Sequence, residues 1–357
     1  MGRTGLVLGL LFVGAALVVA LTGGRTRAGL GERTSRPALP SPCQAGQASP
    51  SLPRPARSAT PFAPDSIWNA PLPADAPVAS NSTALVADLE RQVRRYGAWI
   101  NTDSYSTPIY TVPASQPCVP VTLDVVPTYP SAAELARAFG AGVPIPSDAR
   151  PAPGSDRDLV VWQPATDTMW ELWNARRVNG VWHARWGGRL NDVSKNPGYF
   201  TDPPDWGTAA TSLALLGGTA RISELRAGHI DHALAISIPE ARRGVVIWPA
   251  QRTDGSLASP HAIPEGTRLR LDPNLDLNAL KLPPLTRMIA EAAQRYGLLV
   301  RDQSGAVAFY GEQVTQSGPN PYTGPSGIFG NLSPQQLTAA FPWSHLEVVS
   351  APVRPYQ

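Results

Sequence analysis

The sequence predicts a mainly β protein with peripheral helices, folded as a jelly-roll-like β-sandwich in a single domain behind an N-terminal anchor. Short runs of aromatic and branched residues alternate with turn residues, which is typical of sandwiches and barrels. The chain has no regular βαβ alternation and no glycine-rich phosphate loop, which argues against a nucleotide-binding α/β fold. Only one apolar run approaches the length of a membrane span, so a polytopic membrane protein is not expected.

The composition is that of one large domain or two small ones. The chain has 357 residues, of which 43% are hydrophobic and 16% are charged, enough to build a core and to exclude disorder throughout. Its two cysteines, Cys43 and Cys118, are too few for a disulfide framework or a Cys-rich zinc site. They either pair with each other outside the cytoplasm or remain as two free thiols.

The net charge of +3 is unevenly distributed along the chain. Residues 1–60 hold seven arginines and one acidic residue, whereas the remainder holds 23 basic and 26 acidic side chains. The part that folds is therefore mildly acidic. Because a nucleic-acid-binding domain carries a basic face, we expect no nucleic-acid partner.

Residues 1–24 are predicted to be a signal peptide or signal anchor, because they contain a 16-residue apolar run that begins at Leu6. The run is long for a signal core and short for a span, and no good cleavage site follows it, which favours an uncleaved anchor. Residues 25–61 are rich in Pro, Ala and Arg and predict a linker. We expect an extracytoplasmic protein, membrane-anchored or secreted, whose globular sandwich spans residues 62–351.

The strands of the domain are predicted from alternation and turn chemistry. Three of them, joined by turn-forming segments, predict a meander: Leu159–Trp162, Thr168–Asn174 and Val181–Trp186. Further strands are predicted at Ile230–Ile238, Val245–Trp248 and Arg268–Leu271. Hydrophobic periodicity and capping residues predict helices at Thr83–Tyr96, from Ser131 to Gly140, at Pro284–Tyr296 and at Pro334–Phe341.

Six of the ten tryptophans lie between residues 162 and 206, in and around the predicted meander. Strand alternation puts Glu171 and Trp173 on one face of the second strand, and His183 and Arg185 on one face of the third. These side chains would line a concave surface. Aromatic rings beside carboxylates and arginines suit sugars, which have apolar C–H faces and hydroxyl edges. The alternative is a Trp-rich core with a solvated charged face.

A second candidate segment, residues 229–234, opens the fourth predicted strand. Alternation puts His232 on its apolar side, where a partly desolvated imidazole oriented by a carboxylate would make a good general base. Asp231 points the other way and is expected at the rim. The alternative is a core histidine whose hydrogen bonds are satisfied.

The sequence predicts neither a metal site nor a nucleophilic triad. His183, His229 and His232 are conceivable zinc ligands, but a His-x-x-His spacing on a strand separates its two ligands onto different faces. There is no Gly-x-Ser-x-Gly elbow, and Ser212 lacks flanking glycines. We expect its segment to form a buried turn in which the glycines permit positive φ. No organic cofactor is expected.

Four blocks of sequence are shared with a known family. They are SIWN at 66–69, WELW at 170–173, ATSLALLGG at 210–218 and HIDHAL at 229–234. With these blocks the chain resembles a family of secreted or membrane-anchored actinobacterial proteins over about residues 62–350. The resemblance implies export and a single domain, and it supplies no reaction.

The first function that fits is a carbohydrate-active enzyme acting on cell-wall or environmental polysaccharide. In a polysaccharide lyase, His232 or Tyr199 would abstract the proton α to a uronate carboxylate. Arg185 or Arg189 would neutralise that carboxylate. The expected partners are then the glycan and, through the N-terminal segment, a membrane.

A glycoside hydrolase is the other form of this enzyme. Glu171 would pair with Asp231, Asp158 or Asp192, because glycosidic cleavage needs two carboxyl groups flanking the bond. The alternative function is a non-catalytic glycan-binding or structural envelope protein, in which the Trp173 face grips glycan without turnover.

Overall fold

The computed structural model describes Cys43, residues 61–124 and residues 129–356. The predicted anchor at 1–24, and the predicted linker apart from Cys43 and Pro61, lie outside the described residues. No helix within the described ranges is long and apolar enough to cross a bilayer. All described residues belong to one unit, Pro40–Gln357.

Strand outweighs helix, 27% to 20%, which confirms the mainly β prediction. The first strands are β1 (Ala98–Asn101), β2 (Ile109–Thr111), β3 (Val121–Leu123), β4 (Leu159–Gln163), β5 (Thr168–Trp173), β6 (Arg176–Val178), β7 (Val181–Ala184) and β8 (Trp186–Leu190). They are followed by β9 (Leu234–Ile238), β10 (Ala241–Ile247), β11 (Ile263–Glu265), β12 (Arg268–Leu271), β13 (Leu298–Gln303), β14 (Val307–Tyr310), β15 (Leu346–Val348) and β16 (Val353–Pro355). The helices are α1 (Ser82–Tyr96), α2 (Ala132–Gly140), α3 (Ile222–Ala227), α4 (Pro284–Arg295) and α5 (Pro334–Ala339).

The central sheet has six strands in the order β1-β14-β9-β13-β12-β15. Its middle strand β9 runs parallel to β13 and antiparallel to β14. Because side chains alternate along a strand, Ile236 and Val300 point to one face, where α1, α4 and α5 cover them in a hydrophobic core. Ala235 and Leu299 belong to a second core on the other face.

The second core contains the Trp-rich sheet, whose order is β2-β4-β5-β8. β4, β5 and β8 pair antiparallel in that order, so the first two strands of the predicted meander pair as expected, but the third strand is not the predicted segment 181–186. A β6–β7 hairpin is inserted before the third strand and belongs to a separate sheet with β3. The predicted strand 181–186 is therefore wrong as one element. It breaks at Arg185, so alternation does not relate Trp182 to Trp186, and both are buried.

The sheets mix parallel and antiparallel neighbours, whereas jelly-roll sheets are antiparallel. The parallel pairs are β1 with β14, β2 with β4, β3 with β7, β9 with β13, and β10 with β11. β16 pairs with β10, so the body extends past the predicted boundary at residue 351. Four of the helices match their predictions to within two residues at each end, and α3 was not predicted.

The segment 210–218 is buried between the Trp-rich and central sheets, as its core partners show. A Cβ on Gly217 would lie 2.1 Å from the indole nitrogen of Trp68, and one on Gly218 would lie 2.5 Å from the Ala235 Cβ. These glycines therefore allow close approach rather than positive φ, which corrects the prediction. The positive φ falls on Ser212, at 63°.

Cys43 and Cys118 form a disulfide, with their Cα atoms 5.8 Å apart. The bond lies against Gly142, where a Cβ would come 3.0 Å from the Cys118 Cβ. The pairing that the sequence left open is thus formed. It attaches position 43 to the loop that leads into β3.

Candidate functional site

The candidate site lies where the buried strand β13 turns from apolar to charged. Leu298 to Val300 pack in the two cores, and the next residues are Arg301, which is 1% exposed, and Asp302. Six carboxyl groups influence one another around this point. We call them, with Arg301 and Tyr310, the Asp302 cluster: Asp156, Asp158, Glu171, Asp254, Glu265 and Asp302.

Asp302 is bound by three donors from three parts of the chain. Its Oδ2 accepts from Arg301 Nε at 2.9 Å and from the Tyr310 hydroxyl at 3.4 Å. Its Oδ1 accepts from the Ala210 N–H at 2.7 Å. The Arg301 guanidinium carbon also lies 3.8 Å from the Tyr310 ring centroid. The carboxylate is therefore fixed in position between β13, β14 and the loop that precedes Ser212.

Asp158 stands just before β4 and is half-buried, with Oδ1 shielded from water and without a hydrogen-bond partner. Burial raises the pKa of Asp158 well above its ordinary value, and the Asp156 charge raises it further against the opposing effect of Arg301. This shift favours the protonated form of Asp158. Arg301 Nη1, in the same cluster, is likewise buried without a partner. An acceptor and a donor are therefore both unsatisfied.

Glu171 is fully buried on β5 and bonds to backbone. Its Oε1 accepts from the Leu215 N–H at 2.6 Å, and its Oε2 accepts from the Thr208 N–H at 3.5 Å. Burial raises the pKa of Glu171 to about 7, although these N–H groups and Arg301 oppose the shift. Its hydrogen bonds hold the irregular 208–215 segment, so a structural role accompanies its place in the cluster.

Asp254 and Glu265 share a hydrogen bond between their carboxyl groups, so one proton serves both. Burial is the main reason why the pKa of Glu265 rises well above its usual range and that of Asp254 rises too, with Asp302 adding repulsion. The Asp254 N–H donates to Glu265 Oε2 at 3.1 Å, and Asp254 Oδ1 accepts from the Gln303 N–H at 3.1 Å. Asp254 is the exposed member of the pair.

At the edge of the cluster, the half-buried Trp173 lies beside Asp156. Burial raises the pKa of Asp156, and the Ser155 hydroxyl and the Trp173 indole partly offset the rise. The exposed Arg185 places its guanidinium carbon 5.5 Å from a Trp173 ring centroid. The structure thus brings the predicted residues Trp173 and Arg185 together, and Glu171 and Asp158 share the electrostatic field of Arg301.

His232 does not join this site. It precedes β9 instead of lying within a strand, and it is 4% exposed. Its Nε2 bonds Glu224 Oε2 at 3.1 Å and its Nδ1 bonds the Ala233 carbonyl at 2.8 Å. Burial lowers the pKa of His232, but Glu224 outweighs that effect and raises it. With both ring nitrogens engaged, His232 cannot serve as the predicted base. It is a core histidine with satisfied hydrogen bonds.

The other predicted catalytic residues are dispersed. His183 Nδ1 bonds Asp124 Oδ1 at 2.6 Å, within the sheet of β3, β7 and β6. Asp231 is exposed and pairs with His229 at 3.0 Å. Among the described hydrogen bonds, Glu171 bonds to the 208–215 segment and His232 bonds to Glu224 and Ala233, so the two side chains share no partner.

The remaining predicted substrate-binding residues lie apart from Trp173. Burial lowers the pKa of Arg189, which the Glu134 charge opposes, and its Nε is buried without a partner. Tyr199 packs edge-on against Trp248, with ring centroids 6.0 Å apart. Neither residue has a described bond to the Asp302 cluster.

The sequence analysis missed Arg301, Asp302, Tyr310 and Glu265. A signal for the first two was present, because a charged pair directly follows the apolar run Leu298–Val300. Such a pair at the end of a buried strand is either exposed or held in a polar cluster. Tyr310 and Glu265 gave no comparable signal, since each reaches the cluster from a distant strand.

Arg252 supports the loop that binds Asp302. It is buried, and its Nε donates to Ser212 Oγ at 2.7 Å, while Nη2 donates to the carbonyls of Gly207 and Ala209 at 3.1 and 2.8 Å. These bonds fix the backbone on both sides of Ala210. Arg252 therefore acts through the loop and positions the N–H that Asp302 accepts.

Within the described part of the chain, no three His, Cys, Asp or Glu side chains are placed to hold a metal ion. Compared with protein-family models, curated proteins and solved structures, the chain matches none. The Asp302 cluster is a candidate site on its own geometry.

Proposed function

We propose that this chain is an extracytoplasmic carbohydrate-active enzyme, a glycoside hydrolase acting on cell-wall or environmental glycan. Asp158 would be the general acid and Asp302 the carboxylate partner. One observation carries the proposal: burial raises the pKa of Asp158 in the same cluster where three donors bind the Asp302 carboxylate, so the two carboxyl groups have different environments. Two carboxyl groups in different environments are what glycosidic cleavage requires.

Two further features support a sugar as the ligand. The unsatisfied Asp158 Oδ1 and Arg301 Nη1 are an acceptor and a donor, and a hydroxyl group supplies the complement of both. Trp173 stands at the edge of the same cluster, where its ring offers a surface for the C–H face of a pyranose. Hydroxyl edges and an apolar face are the two surfaces of a sugar ring.

The cluster favours hydrolysis over the lyase reaction. Hydrolysis needs two carboxyl groups in different environments, and the cluster supplies them in Asp158 and Asp302. Of the two bases predicted for a lyase, His232 is bonded at both nitrogens, and Tyr199 packs against Trp248. Arg189, one of the two arginines predicted to neutralise the uronate carboxylate, interacts with the Glu134 charge instead.

The direct test is the Asp158→Asn variant on a panel of polysaccharides. We expect kcat for the release of reducing ends to fall about 10²–10⁴-fold, because the amide cannot donate the proton. Glu291→Gln is the matched control, since Glu291 is exposed and pairs with Arg287 on α4. Unsaturated products that absorb in the ultraviolet would indicate the lyase instead. Cleavage unaffected by Asp158→Asn would overturn the assignment.

A second candidate is a non-catalytic glycan-binding protein, and Trp248 favours it. Trp248 is 51% exposed and is held edge-on against Tyr199. A rigid exposed indole is the kind of surface on which sugars stack. In affinity gels, Trp248→Ala would then weaken glycan retention. If retention is lost this way while no glycan is ever cleaved, the binding function is the better description.

The proposal includes a β-sandwich architecture and export. The sandwich is supported by the shared core in which Ala235 and Leu299 of the central sheet join Trp170 of the Trp-rich sheet. Export is supported by the apolar run at 1–24 and by the paired cysteines, since disulfides persist outside the cytoplasm. The protein would be either membrane-anchored or secreted, with no nucleic-acid partner. Cell fractionation with reducing and non-reducing gels tests the compartment.

A further inference from the structure

We propose that the substrate is a glycan bearing protonated amino groups, that is, a polymer of free amino sugars, bound at the Asp302 cluster. This inference rests on the proposed glycan hydrolysis and adds the chemical class of the substrate. Three features support it. They are the excess of carboxyl groups over arginines in the cluster, the buried polar atoms without partners, and the Arg185 guanidinium that lies over the Trp173 ring.

The charges of the cluster are unequal. The cluster has six carboxyl groups and one arginine, Arg301, which interacts with Asp158 and Glu171 and is already bonded to Asp302. Four of the six are accessible to solvent at least in part, since Asp254 is exposed and Asp156, Asp158 and Asp302 are half-buried. A cationic group entering from solvent would meet opposite charge at each step. An anionic one would not.

The unfavourable ionisation of these carboxyl groups also favours a cationic ligand. Burial raises the pKa of Asp156, Asp158, Asp254 and Glu265, and the neighbouring acids raise each of them further. A bound cation offsets both effects. It stabilises the charged carboxylates, and its own hydrogen bonds replace those of the water that it displaces. An ammonium group is also a triple donor without acceptor atoms, which suits a site rich in acceptors.

The unpartnered atoms show that the cluster needs more than charge. Asp158 Oδ1 lacks a donor, and Arg301, itself 1% exposed, has Nη1 without an acceptor. An ammonium group alone would satisfy the first and repel the second. An amino sugar carries an ammonium and hydroxyl groups on adjacent carbons, so one ring supplies both a donor and an acceptor. A simple amine does not.

Trp173 already carries a cation from the protein itself. The Arg185 guanidinium lies over the Trp173 ring, and Asp156 lies beside that ring. The ring face beside an acidic group is therefore a cation position. Because Arg185 is exposed, it can move away when a ligand ammonium takes its place.

The experiment measures binding of a glucosamine hexamer and an N-acetylglucosamine hexamer by titration calorimetry, with a lysine hexapeptide as a cationic ligand that has no sugar. We expect the glucosamine hexamer to bind at least about tenfold more tightly than either. Asp156→Asn and Asp254→Asn should each reduce that ratio, whereas Glu291→Gln should leave it unchanged. Thermal melts confirm that each variant is folded.

The outcomes separate this inference from the proposed function. If the acetylated hexamer binds as tightly, or if the lysine peptide does, the amino-sugar inference is overturned. Asp158-dependent cleavage of a neutral glycan would then keep the hydrolase. If Asp156→Asn and Asp254→Asn both leave the ratio unchanged, the assigned site is wrong. No binding and no cleavage of any glycan overturns both.

Discussion

The protein buries two sets of ionisable groups, and they differ in whether each acidic group has a basic partner. The Glu224–His232 pair has one acid, one base and a hydrogen-bond partner for each imidazole nitrogen. The Asp302 cluster has six acids, one arginine, and buried polar atoms without partners. In the pair, each group shifts the pKa of the other toward its charged form. In the cluster, burial shifts most of the acids toward the neutral form.

The difference separates a structural set from a functional candidate. A matched pair is complete, so a ligand has nothing to add to it. A mismatched cluster stores unfavourable free energy that a ligand can release, which is the usual condition of a binding or catalytic site. Sequence patterns alone make the histidine segment and the tryptophan segment comparable candidates, whereas the structure puts His232 in a bonded core pair and Trp173 at the edge of the Asp302 cluster.

The largest expected effect is on the matched pair. His232→Leu leaves the Glu224 carboxylate buried without its counter-charge, so we expect a loss of about 3–5 kcal/mol in the free energy of unfolding. Urea denaturation near neutral pH measures it. His229→Leu is the control, because His229 is exposed and should change stability by less than about 0.5 kcal/mol. A small effect of His232→Leu would show that the pair is not matched.

The second-largest expected effect is a dependence of the free energy of unfolding on pH, caused by Glu171 of the cluster. The folded-state pKa of Glu171 is raised from 4.5 to about 7, so the folded protein keeps a proton that the unfolded chain has released. Stability therefore falls as pH rises through that interval, by about 3 kcal/mol from Glu171 alone. In Glu171→Gln this contribution is absent, and the amide oxygen still accepts from Leu215. Unfolding curves of both proteins from acid to mildly alkaline pH should diverge; parallel curves would contradict the assignment.

The smallest effect concerns the Asp254–Glu265 pair. In Glu265→Gln, the amide N–H donates to the Asp254 carboxylate and the amide oxygen accepts from the Asp254 N–H. Because the amide carries no charge, no repulsion between residues 254 and 265 develops as pH rises. We expect a gain on the order of 1 kcal/mol in the free energy of unfolding at mildly alkaline pH, and little change in acid. Thermal melts at the two pH values measure it. A variant that is less stable than the native protein in alkali would show that Glu265 is ionised.

Local features of the fold were predictable and long-range ones were not. The β4–β5 hairpin follows from turn residues between two aromatic runs, and α1 and α4 follow from their apolar stripes. The break at Arg185 was hidden, because the pattern of residues 181–186 continues through it although β7 and β8 join different sheets. Parallel pairings such as β9 with β13 join residues far apart in sequence, and no local pattern encodes them.

The site shows the same limit. Glu171, Trp173 and Arg185 were found because an aromatic run marks their segment. Asp158 was named only as one of three possible partners of Glu171. Which of them meets Glu171 depends on Arg301, whose electrostatic influence reaches both from β13. The charge balance of a cluster built from distant strands cannot be read from any one of them.

The Cys43–Cys118 disulfide changes what a single proteolytic cut can do. Cleavage anywhere between residues 44 and 60 separates the backbone but leaves the domain joined to everything upstream of Cys43, because Cys118 belongs to the domain. Cleavage before Cys43 frees the domain at once. Whether a cut detaches the upstream chain therefore depends on which side of Cys43 it falls, and on whether a reductant is present.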